Sequence, residues 1–214
     1  MRKLFCQLLV AAVALLAMPG VSFAMFVVSS QVVNATPGST GFVEVTLTNN
    51  FLDAKTLSGF SLEVDLAPSG VTFTGVDETT STAPYVFGAE GFGLLSFDLF
   101  PNTHFEANDL SGSMDGFVTL AAGQTVGLLR AAFSVAGGAA DGLREISFVP
   151  GVTSEFVDGV NFDSYADTDI QFQNGGINVQ GGAAAVPEPT SLSLFAMSSF
   201  GLAYLARRRR LTQG

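Results

Sequence analysis

The residues of this sequence best suited to chemistry are carboxylates. The densest group is Asp158, Asn161, Asp163, Asp167 and Asp169, which place hard oxygen donors within one short stretch. Calcium prefers such donors, so these residues are the candidate ligands of a weak structural calcium site. Their spacing differs from that of an EF-hand loop, which takes ligands at alternate positions and closes on a glutamate. The plain alternative is a solvated acidic loop ahead of the last hairpin.

Two pairs of acids, Asp77 with Glu78 and Glu106 with Asp109, raise a different chemistry. A glycosidase needs two carboxylates a set distance apart across a sugar cleft. The alternative function is therefore a secreted carbohydrate-active enzyme of the glycoside hydrolase type. The chain has no tryptophan to stack on sugar, which leaves Tyr85, Tyr165 and the phenylalanines of the body. The bland reading of these acids is charged strand edges.

His104 is the single histidine and lies in a polar stretch expected to be a loop. No G-x-S-x-G elbow accompanies it, and one histidine cannot build a His-rich zinc site. The glycine-rich stretch 88–93 lacks the strand-to-helix context of a phosphate cradle and reads as a flexible loop. The one cysteine, Cys6, sits near the N-terminus, so the body has no thiol nucleophile, thiolate metal site or disulfide framework. With no catalytic set assembled, the expectation is a protein that is not an enzyme and carries no cofactor apart from the calcium considered above.

The elements that must position these residues are strands. Over 25–181 the apolar period is two. Val43, Val45 and Leu47 alternate with Glu44, Thr46 and Thr48. Phe60, Leu62, Val64 and Leu66 alternate with Ser61, Glu63 and Asp65. The pattern returns at Val71 and Phe73, at Leu95, Phe97 and Leu99, at Leu129, Ala131, Phe133 and Val135, and at Ile146 and Phe148. One-sided strands of this kind belong to antiparallel sheets with one wet face. Pro37-Gly38, Pro68-Ser69-Gly70, Gly137-Gly138 and Asn174-Gly175-Gly176 mark turns, the last predicting a closing hairpin between 170–172 and 177–179. The expected fold class is all-β, a jelly-roll or Greek-key antiparallel β-sandwich of about nine strands.

Within this body, "VNATPGSTGFVEVTLTNN" (33–50), "LSGFSLEVDLAPSGVTFTGVD" (57–77), "AAGQTVGLLRAAFSVAGGAADGLREISF" (121–148) and "GGINV" (175–179) resemble the cohesin-like domain. That resemblance implies a nine-stranded jelly-roll sandwich, related to carbohydrate-binding modules. It also implies recognition of a polysaccharide or a surface protein without catalysis, and the other non-enzymatic expectation is a domain that simply contributes structure to the matrix.

The two ends carry addresses. Residues 1–24 read as a secretory signal, with Arg2 and Lys3 as its charged region and an apolar run over 8–17. Ser22-Phe23-Ala24 supplies the small residues that signal peptidase inspects. The net charge is −10, yet Arg2, Lys3 and Arg207 to Arg210 hold most of the basic residues. Between residues 25 and 186 only Lys55, Arg130 and Arg144 are basic. Such an acidic body repels phosphate backbones, which argues against nucleic acid as a partner.

Residues 182–189 read as a linker, and 190–206 are uncharged, a transmembrane helix rising about 26 Å. Arg207, Arg208, Arg209 and Arg210 then act as a stop-transfer signal that keeps the tail, 207–214, in the cytoplasm. Pro187, Glu188 and Pro189 precede this segment, and proline on both sides keeps the backbone extended and open to a processing enzyme. The order of these parts over 186–210 resembles the PEP-CTERM sorting signal. That resemblance implies recognition by a membrane enzyme called exosortase, in bacteria that make exopolysaccharide. Cleavage would fall near Pro187, Glu188 and Pro189, and the protein would pass from a membrane-anchored precursor to the cell surface or extracellular matrix.

Overall fold

Alternation at period two becomes strand wherever one face can be buried, and here it yields two packed sheets. The computed structural model describes residues 25–181 apart from 69, 98–101 and 152. The secretory signal and the linker, transmembrane and arginine segments lie outside the described residues. Strands β1 to β14 are Phe26–Ser30, Val32–Ala35, Thr40–Asn49, Lys55–Leu57, Gly59–Leu66, Val71–Asp77, Leu95–Phe97, His104–Leu110, Val118–Leu120, Thr125–Val135, Gly142–Phe148, Glu155–Val157, Ile170–Gln173 and Gly175–Val179. Sheet A has the order β13-β1-β3-β10-β6, and sheet B the order β2-β14-β11-β5-β8-β7 with β12 also on β5. A small ribbon joins β4 to β9. Both sheets and their core are built from residues 25–181, so this segment contains what the fold needs to form by itself.

The β-sandwich is thus as expected, with differences in strand count and direction. Among the described residues there are fourteen strands where about nine were expected, because short pieces such as β4, β9 and β12 are fixed by their partners rather than by an alternating pattern of their own. Two pairs are parallel, β1 with β13 and β2 with β14. These pairs also overturn the closing hairpin. Ile170–Gln173 joins sheet A, whereas Gly175–Val179 joins sheet B. The chain crosses between sheets at Asn174, beside the place where Ser30 and Gln31 make the same crossing from β1 to β2. A Cβ on Gly175 would lie 2.4 Å from the Ser30 carbonyl oxygen, so the glycine permits this close passage.

The inward residues form one core. Phe26, Phe73, Phe105, Phe133 and Phe156 are all fully buried, and the rings of Phe73 and Phe105 meet edge to face at 4.9 Å. The described domain has no cysteine, so packing and hydrogen bonds carry its stability.

The outer faces of the two sheets differ. Glu44 points outward from β3 yet is only 1 % exposed, because residues 78–87 cross over it. Its carboxylate accepts the Ser81 N–H at 2.6 Å, the Ser81 hydroxyl at 2.7 Å and the Thr82 N–H at 2.7 Å. The same segment is tied to β10, where Val86 N–H meets the Gly127 carbonyl at 2.8 Å and Gly127 N–H meets that of Pro84 at 2.8 Å. Burial alone would raise the Glu44 pKa, but the hydrogen bonds from Thr82 and Ser81 outweigh it and hold the carboxyl below the usual range. A depressed carboxylate contributes stability above the ordinary carboxylate range and loses it as the pH falls through the folded value. Glu44→Ala is therefore expected to cost about 2 kcal/mol at neutral pH. The gap should close in acid, as read from melting midpoints across pH; a constant gap would contradict this role.

Candidate functional site

The acidic stretch of 158–169 is organised as a turn. Asp158 Oδ1 accepts the Thr56 hydroxyl at 2.9 Å and the Val160 N–H at 2.6 Å, with the Asn161 N–H at 3.4 Å. Burial pushes its pKa up, but the hydrogen bonds from Val160, Thr56 and Asn161 prevail and lower it. Asn161, Asp163 and Asp167 are exposed, and Asp167 and Asp169 belong to a short 3-10 turn, Asp167–Asp169. Among the described residues, no group of three or more acidic, histidine or cysteine side chains stands close enough to hold a metal ion. The structure therefore does not gather these carboxylates into a ligand set.

Neither acid pair faces a shared cleft. Asp77 is turned to Arg130, 2.8 Å from its Nη2, and also accepts the Thr79 hydroxyl and the Thr79 N–H. Its neighbour Glu78 accepts the Leu94 N–H at 3.3 Å. Glu106 and Asp109 are three apart on β8, and period two puts them on opposite faces of sheet B. Asp109 points inward, 2 % exposed, where it accepts the Tyr85 hydroxyl at 2.5 Å and the Leu110 N–H at 2.7 Å. This geometry removes the reading of Glu106 and Asp109 as a catalytic pair.

The tyrosines are not free for stacking either. Burial, reinforced by Asp109, raises the Tyr85 phenol far above its ordinary value. Tyr165 is pushed up to about 12 by burial and by Asp158. Its hydroxyl donates to the Thr56 carbonyl at 2.7 Å, and its ring packs on Phe26 at 4.9 Å. The expected flexible loop at 88–93 contains a 3-10 turn, Gly88–Glu90, followed by a bridge from Gly91 to Ser111. A Cβ on Gly91 would meet Asp109 Oδ2 at 2.6 Å, so this segment is packed against the buried acid.

His104 opens strand β8 instead of lying in a loop, because it pairs with Asp65 in the register of β5 and β8. Its Nδ1 lies 2.8 Å from Asp65 Oδ1, and its Nε2 lies 3.7 Å from Glu63 Oε1. These residues belong to the outer face of sheet B, where register gathers several charged side chains from neighbouring strands. Glu63 stands directly opposite Glu106, Asp65 opposite His104 and Ser61 opposite Asn108. On the flanking strands, Glu155 stands opposite Ser61 and Ser147 opposite Asp65, with Glu145 further along β11. All of these side chains are at least partly exposed.

Like charges facing each other across a ladder are destabilising, so Glu63 against Glu106 is a local conflict that folding alone does not reward. Of this face, sequence reasoning had singled out only His104 and Glu106. The signal available was the outward member of each alternating strand, but their assembly into one acidic surface depends on register, which the sequence leaves open.

Comparison with known proteins agrees with both parts of the chain. Residues 185–210 match the PEP-CTERM protein-sorting motif, which marks the chain as an exported one. No curated protein matches the chain. Among solved structures, the sandwich is similar to the sixth cohesin of scaffoldin B from Acetivibrio cellulolyticus, solved with a mutant Cel5 dockerin. That likeness has 17% identity and a TM-score of 0.55, over 73% of this chain and 99% of that one. A cohesin from Clostridium acetobutylicum gives 17% identity and a TM-score of 0.54, over 74% and 93%. A non-cellulosomal cohesin from the archaeon Archaeoglobus fulgidus gives 12% and 0.51, over 75% and 94%. At these identities the likeness establishes the fold.

Proposed function

We propose that this chain, a cohesin-like sandwich joined to a PEP-CTERM sorting motif, is an exported, non-enzymatic binding module. It is sorted to the cell surface or extracellular matrix and docks a partner protein through the open face of sheet B. Signal peptidase removes 1–24, and an exosortase-type enzyme cuts near Pro187, Glu188 and Pro189 while the apolar helix and Arg207 to Arg210 hold the precursor in the membrane. The carrying observation for binding is the acidic pair Glu63 and Glu106, directly opposite each other and flanked by Asp65 on a partly exposed face, with His104 as the one basic-type side chain among them. Lysine or arginine side chains from a partner would neutralise that face and supply both specificity and a fast encounter. A polysaccharide partner is less well served, since Tyr85 and Tyr165 are turned inward and hydrogen-bonded.

Calorimetric titration of the domain with dockerin modules and with neutral glucans separates the classes. Heat on adding a protein module, and none with glucan, is the expected result; glucan binding with release of reducing sugar would return the enzyme reading. Glu106→Gln should weaken protein binding while raising stability by about 0.2 to 1 kcal/mol, because the like-charge pair is gone. A lower melting midpoint would contradict the repulsion.

A further inference from the structure

Exposed large apolar side chains on a soluble domain are normally scattered singly. Here most of them lie at one end of the sandwich. Leu52 follows β3, Phe92 follows the first 3-10 turn, and Leu110 and Met114 lie at and beyond the end of β8. Val160 and Phe162 sit between β12 and β13. Register brings these loops together, since Gly59 stands opposite both Leu110 and Val157, and Phe26 stands opposite Asn49. Phe92 N–H bonds the Leu110 carbonyl at 3.1 Å. A Cβ on Gly159 would fall 2.1 Å from the Phe117 Cβ, so the loops after β8 and β12 touch. The chain leaves the domain at the other end, where Gln180 N–H meets the Ala35 carbonyl and Val179 stands opposite Gly142. The apolar end therefore points away from the exit of the sorting tail.

Phe162 is the central feature. Its φ is 57°, a left-handed conformation that costs an aromatic residue free energy, and its side chain is 66% exposed. The turn that holds it is closed by Phe162 N–H on the Asp158 carbonyl at 3.0 Å and by Asp158 N–H on the Asp163 carbonyl at 2.9 Å. A braced turn that keeps a ring in water is a pre-organised anchor, which loses little freedom on binding. Phe42, which is also exposed, lies under the Arg130 guanidinium at 5.1 Å and is not part of this end.

Acids ring the apolar end. Asp53, Glu90, Asp115, Asp163 and Asp167 are exposed around it. Lys55 is engaged with Asp53 at 3.2 Å and lies over the Phe51 ring at 4.5 Å. A second copy of this end, an acidic polysaccharide or an anionic lipid surface would each bring like charges together. We propose that this end is a second docking surface, separate from the face of sheet B, for a protein segment that carries apolar anchors flanked by lysine or arginine.

The test is titration of the 25–181 domain with a short amphipathic peptide of leucine and lysine, and with its leucine–glutamate counterpart. Binding is followed by peptide fluorescence anisotropy and by backbone amide shifts. The lysine peptide should bind and shift amides around Met114 and Val160 to Asp163, and the glutamate peptide should not bind. Phe162→Asn with Met114→Ser should weaken binding by about tenfold or more, since anchor residues carry most of an interface's energy. Asparagine accepts the left-handed backbone, so that variant keeps the turn. Asp115→Lys with Asp163→Lys tests the rim without touching the turn's backbone bonds and should weaken binding to a similar degree. Glu63→Gln with Glu106→Gln should leave the peptide's affinity within about twofold, because hot-spot effects are local to their own surface. Equal binding of both peptides, parent-like affinity in both end variants, or loss only in the Glu63 and Glu106 variant would overturn the proposal. That last outcome would still support docking through sheet B.

Discussion

Replacing Pro187, Glu188 and Pro189 together by alanine is expected to abolish sorting, leaving protein that still carries residues 190–214 in the membrane fraction and none at the surface. The match to the PEP-CTERM motif spans 185–210 and includes these residues. Proline fixes its own φ and disfavours a helical residue before it, so two prolines are expected to favour the extended backbone that an enzyme needs if it is to thread a chain through its active site. Alanine removes that constraint and is the best helix former, so the segment can merge with the apolar run that follows. Mass spectrometry of surface material reads the outcome. The parent protein should begin near Met25 and end near Pro187 to Pro189, and the variant should yield no such species. Surface material ending at Gly214 in the parent would show that sorting proceeds without cleavage.

The second large effect lies in the core. Phe105 is fully buried on β8 and packs edge to face on Phe73 of the opposite sheet. Phe105→Ala is expected to cost about 3 to 5 kcal/mol, from lost transfer energy and from the cavity left behind. Domains of this size commonly hold about 5 to 15 kcal/mol in total. With no disulfide to limit the unfolded chain, the melting midpoint should fall by about 10 °C or more. Phe105→Leu, which keeps most of the volume, should cost under about 1.5 kcal/mol. Similar losses in the two variants would mean that the site is not a tightly packed one.

How much of this was legible in the sequence depends on the range of the forces involved. The alternation in Phe60 to Leu66 and in Val43 to Leu47 is local, and both segments are strands with the expected residues inward. Asn174-Gly175-Gly176 misled because glycine serves two purposes. Its usual one is a turn, but Gly175 here lets β14 pass the Ser30 carbonyl as the chain changes sheets. Glu44 has the pattern of a solvated outward residue; only the distant Ser81 and Thr82 reveal it as a buried clasp. The pairing of Glu106 with Asp109 failed for a reason contained in the sequence itself. An odd separation along a strand sends two side chains to opposite faces, once His104 is known to begin the strand rather than a loop.

The acidic face of sheet B is spread over Glu63, Asp65, Glu106, Glu145 and Glu155 on separate strands, and only Glu106 stood out in the sequence as a candidate, with the wrong partner. Register alone brings them together. The exposed end carrying Phe162 was equally hidden, since its residues come from separate loops and its left-handed residue is a phenylalanine rather than a glycine.

The most direct measurement of the central claim is site-specific photo-crosslinking on the sorted protein at the cell surface. One photoreactive residue replaces Asn108, beside the acidic pair on the outer face of sheet B, and a second, in a separate variant, replaces Thr72 on the outer face of sheet A. Covalent protein adducts at position 108, absent or far weaker at position 72, are the expected result. No protein adduct at 108, or the same adducts at both positions, would contradict a binding module that works through sheet B.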